Sequence, residues 1–315
     1  MFNPERQEHI WLTAVQVATV WTDPQSARSM DAPGTSNPTN MDQWIESLTY
    51  ETNLALCEEN RIQTQLLYGE PVIVTAFKDD WAQVVIPSQP SKKDQHGYPG
   101  WVPHRQLRQG EKSAWQATHT AIIMHDKAWL ENEAGEQIIK LSYLTCLPVA
   151  RQTSNRIEVK TPHGNHFLPT HQVHIFPSGK GMTKSEGGKA IVQAIEPFIG
   201  LAYFWGGMSA FGYDCSGLAY AAHKANGYQI GRDTSDQVAS GKEITDDQLQ
   251  PGDLLFFAYE AGKGKLHHVG IYYGNGKMIH APQTGKGVEV ISLKDTVYEK
   301  ELYAARRYWQ EAGEK

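Results

Sequence analysis

A pattern of short β-runs and turns occurs twice before residue 177 and limits the folds that this part of the chain can adopt. In the first copy, Val72–Phe77 and Trp81–Ile86 are joined by a short polar turn, which is typical of a β-hairpin, and Tyr98–Pro103 follows. The second copy is weaker and has β-runs at 120–124, 137–141 and 156–159, with Phe167-Leu168-Pro169 in the place of Trp101-Val102-Pro103. The repetition predicts two small β domains of about the same size.

The segment Tyr98–Pro103 resembles the "GWV" strand of bacterial SH3 (SH3b) domains, and the second copy resembles a diverged SH3b repeat. We therefore predict a first SH3b domain over residues 1–110 and a second over 111–178. Residues 40–62 are polar and compatible with helix, so we expect a helical insertion in the first domain. Pro177–Gly181 is typical of a linker.

The pattern changes in the remaining segment, residues 179–315. Apolar residues in Lys189–Ile199 follow a helical spacing, and Cys215–Asn226 predicts a second amphipathic helix that ends at Asn226-Gly227. Predicted strands follow at 254–258, 267–273 and 278–281. Helices followed by strands within one block indicate an α+β domain.

Charge and composition exclude several classes of protein. The 29 basic and 35 acidic residues give a net charge of -6, and without a basic run the chain is not expected to bind nucleic acid. No stretch approaches the ~20 apolar residues of a membrane span. The N-terminal segment carries charges and a proline where a signal peptide is apolar. We therefore expect a soluble, cytoplasmic protein with no membrane partner and no obligate protein partner.

The chain has three widely spaced cysteines, Cys57, Cys146 and Cys215, and none forms a CxxC pair. An odd number at these spacings argues against a disulfide framework and against a structural zinc site. No cofactor or metal is expected.

Cys215 is the candidate nucleophile. It lies in the segment Tyr213-Asp214-Cys215-Ser216-Gly217, where the predicted helix begins, and Asp214 can cap that helix. The N–H groups and the positive dipole end at a helix start favour thiolate over thiol. Small or polar neighbours distinguish Cys215 from Cys57 and Cys146, which we expect to be structural.

Two downstream histidines, His268 and His280, are candidates for the base and its orienting partner. If Gly274-Asn275-Gly276 forms a three-residue hairpin loop, Gly270 pairs with His280, and His268 is then a diagonal neighbour on the same face. A two-residue loop would place the histidines on opposite faces. Strand alternation directs His267 to the other face, away from the base.

Together these segments resemble the NlpC/P60 family, with DCSGL at 214–218, PGDLLFF at 251–257, HHVGIY at 267–272 and IHAP at 279–282. The resemblance implies a papain-like α+β catalytic domain preceded by two small all-β SH3b barrels. It also implies a cysteine peptidase in which Cys215 attacks a γ-D-glutamyl amide, His268 is the base and His280 orients it.

A narrower resemblance is to the YkfC-type γ-D-glutamyl-L-diamino-acid endopeptidases. It implies hydrolysis of the γ-D-Glu–L-diamino acid bond of murein tri- or tetrapeptides that have a free N-terminal L-Ala, releasing L-Ala-γ-D-Glu during cell-wall recycling. By position in this sequence, the implied substrate-binding residues are Glu70, Tyr98, Tyr203, Asp214, Ser216, Asp233 and Thr234. A substrate ammonium would suit this set of carboxylates and phenols.

Simpler roles remain open for three of these residues: a helix cap for Asp233, a solvated turn carboxylate for Glu70, and strand packing for Tyr98. Two other functions also remain open. The chain could be a secreted peptidoglycan hydrolase whose SH3b domains bind the wall, or a non-catalytic module that binds murein peptides in the same groove.

Overall fold

The computed structural model describes residues 8–310. The chain divides into two compact units. The first, the β unit, comprises residues 8–88, His96–Gly181 and Ser209–Phe211. The second, the α+β unit, comprises Gln89–Gln95, Met182–Met208 and residues 212–310.

The first sheet of the β unit has seven strands and a helical insertion after the second. In chain order these elements are β1 (His9–Thr13), β2 (Val17–Trp21), α1 (Ala32–Thr35), α2 (Met41–Ser47), α3 (Tyr50–Glu58), β3 (Ile62–Leu67), β4 (Pro71–Lys78), β5 (Trp81–Ile86), β6 (Tyr98–Pro103) and β7 (Leu107–Glu111). The strand order is β3-β2-β6-β5-β4-β1-β7.

The second sheet of the β unit also has seven strands. It follows the short helix α4 (Lys112–Trp115) and consists of β8 (His119–Ile123), β9 (Lys127–Glu131), β10 (Gln137–Ser142), β11 (Cys146–Gln152), β12 (Arg156–Thr161), β13 (Gly164–Pro169) and β14 (Val173–Pro177). Its strand order is β10-β9-β13-β12-β11-β8-β14. Strand for strand this repeats the order of the first sheet, as expected for an internal repeat.

The predicted helical insertion contains α2 and α3 and is anchored by a buried tryptophan. Trp44 is fully buried, and its Nε1 donates a hydrogen bond of 3.0 Å to Oδ1 of Asp31. Arg28 balances the charge of that buried carboxylate at 2.9 Å. The ring of Trp44 also lies 5.9 Å from that of Trp21 on β2, so the insertion packs against the sheet while β2 and β3 remain paired.

The α+β unit begins with helices and continues into a sheet. Its elements are α5 (Lys189–Gln193), the short strands β15 (Met208–Ser209) and β16 (Gly212–Tyr213), α6 (Cys215–Lys224), α7 (Thr234–Gln237), β17 (Lys242–Ile244), β18 (Leu254–Ala258), α8 (Tyr259–Gly262), β19 (Leu266–Gly274), β20 (Lys277–His280), β21 (Glu289–Ser292), α9 (Val297–Glu301) and β22 (Leu302–Arg307).

Six of these strands form an antiparallel sheet in the order β17-β22-β18-β19-β20-β21. Helix α6 contacts β19 and β20, the strands that carry the two candidate histidines. The predicted helix over Lys189–Ile199 is shorter: α5 ends at Gln193, and a separate 3-10 turn covers Glu196–Phe198, with Pro197 in its first turn. Proline lacks an N–H and interrupts the helical ladder, which accounts for the break.

Candidate active site

Helix α6 begins at Cys215, and Asp214 is its N-cap residue. The Asp214 carboxylate accepts hydrogen bonds from the backbone N–H of Gly217 at 2.6 Å and of Gly206 at 3.0 Å. A side chain at Gly217 would not fit, because its Cβ would lie 2.1 Å from the carbonyl oxygen of Gly207. The cap and this close approach fix the start of the helix, and with it the position of the thiol.

Arg232 supports this helix start, a role that the sequence did not indicate. Its Nη2 lies 2.7 Å from Oδ2 of Asp214, and its Nη1 donates to Asp214 Oδ1 at 3.2 Å and to Ser216 Oγ at 2.8 Å. Arg232 is 1% exposed and Asp214 is 5% exposed, so the pair is buried. Asp214 and Ser216 therefore already hold the helix start through their side chains. Their predicted contact with substrate stays a prediction.

The surroundings of the Cys215 thiol act against the ionisation that a helix start favours. Burial raises its pKa to about 12, and the charge of Asp214 acts in the same direction. The N–H groups of Val269 and Ser216 and the charge of Arg232 lower the pKa without outweighing that effect. The helix-start dipole, which favours the thiolate, is thus opposed by desolvation and by the capping carboxylate of Asp214.

His268 and His280 are directly paired. Nε2 of His268 lies 2.8 Å from Nδ1 of His280, and the two residues are only 3% and 1% exposed. Burial and the neighbouring His280 and His267 lower the pKa of His268 well below its usual value, and burial lowers the pKa of His280 to about 4. A neutral imidazole can accept a proton, so His268 is suited to act as a base.

The hairpin between β19 and β20 has a turn other than the predicted three-residue loop. Gly274 pairs with Lys277 around the two-residue turn Asn275-Gly276, whose residues both have positive φ, as a type I′ turn requires. A register shift between Tyr272 and Gly274 then absorbs one residue. The loop prediction was wrong, yet Ile271 pairs with Ile279 as the predicted register requires.

His267 also lies differently from the prediction. A register shift between Phe257 and Ala258 leaves His267 as the extra residue of a β-bulge, because Phe257 pairs with His268 and Ala258 with Leu266. The rings of His267 and His268 are 6.3 Å apart and inclined by 25°. The bulge breaks the alternation of the strand and brings His267 beside the base.

Two further contacts define the position of His267. Its Nε2 lies 3.0 Å from Oε2 of Glu301, and Tyr259 stacks on its ring at 4.0 Å. Tyr298, another residue that the sequence did not indicate, has its ring 5.3 Å from each of the rings of His268 and His280. In the sequence, the position of His267 directly before the candidate base could have indicated it. No comparable feature of the sequence indicates Tyr298.

The other predicted residues of the α+β unit lie at its loops and helix ends. Tyr203 is 7% exposed, and its backbone N–H donates to the carbonyl of Lys286 at 2.8 Å. Asp233 immediately precedes α7, which begins at Thr234. One Asp233 carboxylate oxygen lies 3.0 Å from Nζ of Lys93, which belongs to the Gln89–Gln95 segment of the same unit. Roles in substrate binding for these residues stay predictions.

Glu70 and Tyr98 lie in the β unit. The Glu70 carboxylate accepts hydrogen bonds from the backbone N–H of Leu67 at 2.9 Å and from the Ser88 hydroxyl. Tyr98 is 1% exposed in the core of the first sheet, and its hydroxyl donates to Gln63 Oε1 at 3.3 Å. Both side chains thus have structural partners within their own unit, and their predicted roles in substrate binding are untested.

In residues 8–310, no group of three or more His, Cys, Asp or Glu side chains is arranged to hold a metal ion. Nor does that part of the chain contain a helix long and apolar enough to cross a membrane.

A thiol at a helix start, a neutral imidazole on the adjacent strand and a second imidazole behind it define a papain-like cysteine peptidase. Comparison with known proteins agrees with this class. The NlpC/P60 family model matches residues 200–307, and the model of the YKFC SH3b2 domain matches residues 123–176.

Similar proteins cover almost the whole chain. A Bacillus subtilis (strain 168) γ-D-glutamyl-L-lysine dipeptidyl-peptidase is 44% identical over 94% of this chain and 97% of its own length. A Bacillus cereus protein of the same name is 33% identical over 93% of this chain and 89% of its own length. The crystal structure of an NlpC/P60 family protein from Bacillus cereus superimposes with a TM-score of 0.90, at 34% identity, and covers 95% of this chain and 99% of that one. The chain belongs to the NlpC/P60 family of cysteine peptidases.

Proposed function

We propose that this protein hydrolyses the bond between γ-D-Glu and an L-diamino acid, lysine or diaminopimelate, in murein tri- or tetrapeptides that have a free N-terminal L-Ala. The products are L-Ala-γ-D-Glu and the remaining part of the peptide, which begins with the diamino acid. The observation that carries the catalytic part is the 2.8 Å contact between Nε2 of His268 and Nδ1 of His280, next to the helix that begins at Cys215.

The proton transfers follow from that contact. Because Nε2 of His268 faces His280, the Nδ1 atom of His268 is left for the thiol. As the Cys215 sulfur attacks the γ-carbonyl carbon, its proton moves to Nδ1 of His268. The C–N bond then breaks and His268 returns that proton to the leaving amine, so that an acyl-enzyme thioester remains.

Water completes the reaction. His268 takes a proton from the attacking water, the thioester carbon–sulfur bond breaks, and the proton returns to the sulfur to restore the thiol. Desolvation raises the pKa of Cys215 and lowers the pKa of His268, so it opposes transfer of the proton between them before the attack.

The substrate class rests on the similar proteins. Two relatives that share nearly the full length of this chain are γ-D-glutamyl-L-lysine dipeptidyl-peptidases, a name that describes release of a dipeptide. The net charge of -6 favours small peptides over an anionic wall polymer. We propose that the substrate is a released wall peptide that is degraded in the cytoplasm for recycling.

Mass spectrometry of the products tests this proposal. Three substrates are compared: L-Ala-γ-D-Glu-L-Lys, its N-acetylated form and intact sacculi, with the Cys215→Ser variant as the blank. We expect L-Ala-γ-D-Glu and L-Lys from the first substrate alone. Equal cleavage of the acetylated peptide would contradict recognition of the ammonium, and equally fast release from sacculi would favour a secreted wall hydrolase.

A further inference from the structure

We propose that Glu289 is a positioning residue that extends the catalytic residues to a chain of four, Cys215, His268, His280 and Glu289. This inference rests on the catalytic roles proposed above for the first three residues. Glu289 lies on β21 directly opposite His280 on β20 in the strand pairing, so the backbone itself places these side chains next to each other.

An unsatisfied atom at His280 points to this role. Nε2 of His280 is buried, and among the described residues it has no hydrogen-bond partner. The carboxylate oxygen Oε1 of Glu289 lies 3.6 Å from it, which is too long for a hydrogen bond. The side chain of Glu289 is 40% exposed, so a small rotation towards His280 meets little packing resistance. A buried ring nitrogen without a partner is costly, and this rotation would satisfy it.

The tautomers that His268 and His280 must adopt indicate a function for Glu289. For Nδ1 of His268 to receive the thiol proton, His268 must carry its own proton on Nε2 and donate it to Nδ1 of His280. His280 must then carry its proton on Nε2, facing Glu289. A carboxylate at that point favours this tautomer. Without it, His280 could carry its proton on Nδ1 and donate it to Nε2 of His268. The proton of His268 would then lie on Nδ1, and that atom could not accept the thiol proton.

Glu289 also carries a negative charge that can stabilise the cation formed on His268 during the attack. During the attack His268 becomes a cation within a buried site, and the charge can be shared through His280 towards a carboxylate. Lys286 is cationic and lowers the pKa of His280, while the charge of Glu289 contributes to raising the pKa of the neighbouring Tyr298 to about 12.

The test compares Glu289→Ala with Glu243→Ala. Glu243 lies on β17, the opposite edge strand of the same sheet, and its side chain is 82% exposed, so it controls for the loss of one charge. With L-Ala-γ-D-Glu-L-Lys, we expect kcat of Glu289→Ala to fall about 10- to 100-fold with little change in KM, as for other residues that orient a functional imidazole. Added formate, which can occupy the vacated carboxylate position, should restore part of kcat. Glu243→Ala should behave as the wild type.

A second readout does not depend on the substrate. The rate at which iodoacetamide alkylates Cys215, followed at that residue by peptide mass spectrometry, should fall about 10-fold in Glu289→Ala, because the alkylation needs the same base. If wild-type protein fails to cleave the peptide but this alkylation difference is present, the substrate proposal fails and the role of Glu289 stands. Equal alkylation and equal kcat in the two variants, or no response to formate, would overturn the role of Glu289.

Discussion

Arg232 donates to both carboxylate oxygens of Asp214, the residue that precedes the nucleophile, at distances of 2.7 and 3.2 Å. The pair is buried, so each charge depends on the other for compensation. We expect Arg232→Met to lower the free energy of unfolding by about 3–5 kcal/mol, because it leaves Asp214 buried without a counter-charge. Urea unfolding measures this.

The matched control for that change is Arg151→Met. Arg151 is paired with Glu158 at 3.0 Å, but its side chain is 67% exposed, and such surface pairs contribute about 0–1 kcal/mol. The double variant Arg232→Met with Asp214→Asn should recover part of the loss. A loss for Arg232→Met no larger than that for Arg151→Met would contradict the importance of the buried pair.

The raised pKa of the Cys215 thiol predicts how its alkylation depends on pH. Because burial raises the pKa of the thiol to about 12, the rate with iodoacetamide should still be rising with pH at about pH 9. A preformed thiolate–imidazolium pair would instead give a plateau across the neutral range. Stopped-flow alkylation of a variant with Cys57→Ser and Cys146→Ser separates these outcomes, and a plateau would show that the site holds an ion pair.

The bulge brings His267 beside His268, and this contact predicts that a substitution of His267 shifts the pH profile of kcat/KM. The charge of His267 lowers the pKa of His268, so His267→Phe should raise that pKa while keeping a ring for Tyr259 to stack on. A base must be neutral, so the acid limb of kcat/KM should move to higher pH, by about 0.5–1 unit. His174→Phe, at an exposed position of strand β14, is the control. An unchanged acid limb would show that His267 does not affect the pKa of His268.

Stability should decrease in acid because of a buried histidine that the mechanism does not use. His223 is fully buried, its Nδ1–H donates to the carbonyl of Ala219 at 2.8 Å, and burial lowers its pKa to about 4. A folded-state pKa below the unfolded value stabilises the fold at neutral pH, and that contribution is lost as pH falls from about 6.5 towards 4.

The variant His223→Asn isolates this effect, because asparagine keeps a donor near the position of Nδ1 and does not titrate. Between pH 7 and pH 5, the free energy of unfolding of the wild type should fall by about 2 kcal/mol more than that of the variant. Urea unfolding at both pH values measures the difference. Parallel losses in the two proteins would exclude His223 as the source.

Lys93 lies 3.0 Å from the carboxylate of Asp233, the residue predicted to bind the substrate ammonium. If Asp233 has that role, Lys93 competes with the substrate for it. We expect Lys93→Ala to lower KM for the free tripeptide about two- to five-fold with kcat unchanged, since both side chains are partly exposed and the pair is weak. Steady-state kinetics with Lys92→Ala as the control tests this, and a raised KM would mean that Lys93 helps to bind the peptide.

Much of the local structure could be predicted from the sequence. β-runs such as Trp81–Ile86 and Tyr98–Pro103 coincide with β5 and β6, and Leu254–Ala258 with β18. The helix starting at Cys215 was predicted from its capping aspartate and its amphipathic spacing, and the repeat is confirmed by two sheets with one strand order. These features depend on neighbours in the sequence and on hydrophobic periodicity, both of which can be read directly.

Local patterns were thus enough to predict the class of fold and a helix start at Cys215, and they indicated His268 and His280 as candidates. The contacts among these residues depend on the fold. Two bulges set the register around His268 and bring His267 beside it, Arg232 reaches Asp214 from a position distant in the sequence, and burial raises the pKa of the Cys215 thiol. Bulges, long-range ion pairs and desolvation depend on what packs around a residue in space, and a sequence pattern carries information chiefly about what lies next to it along the chain.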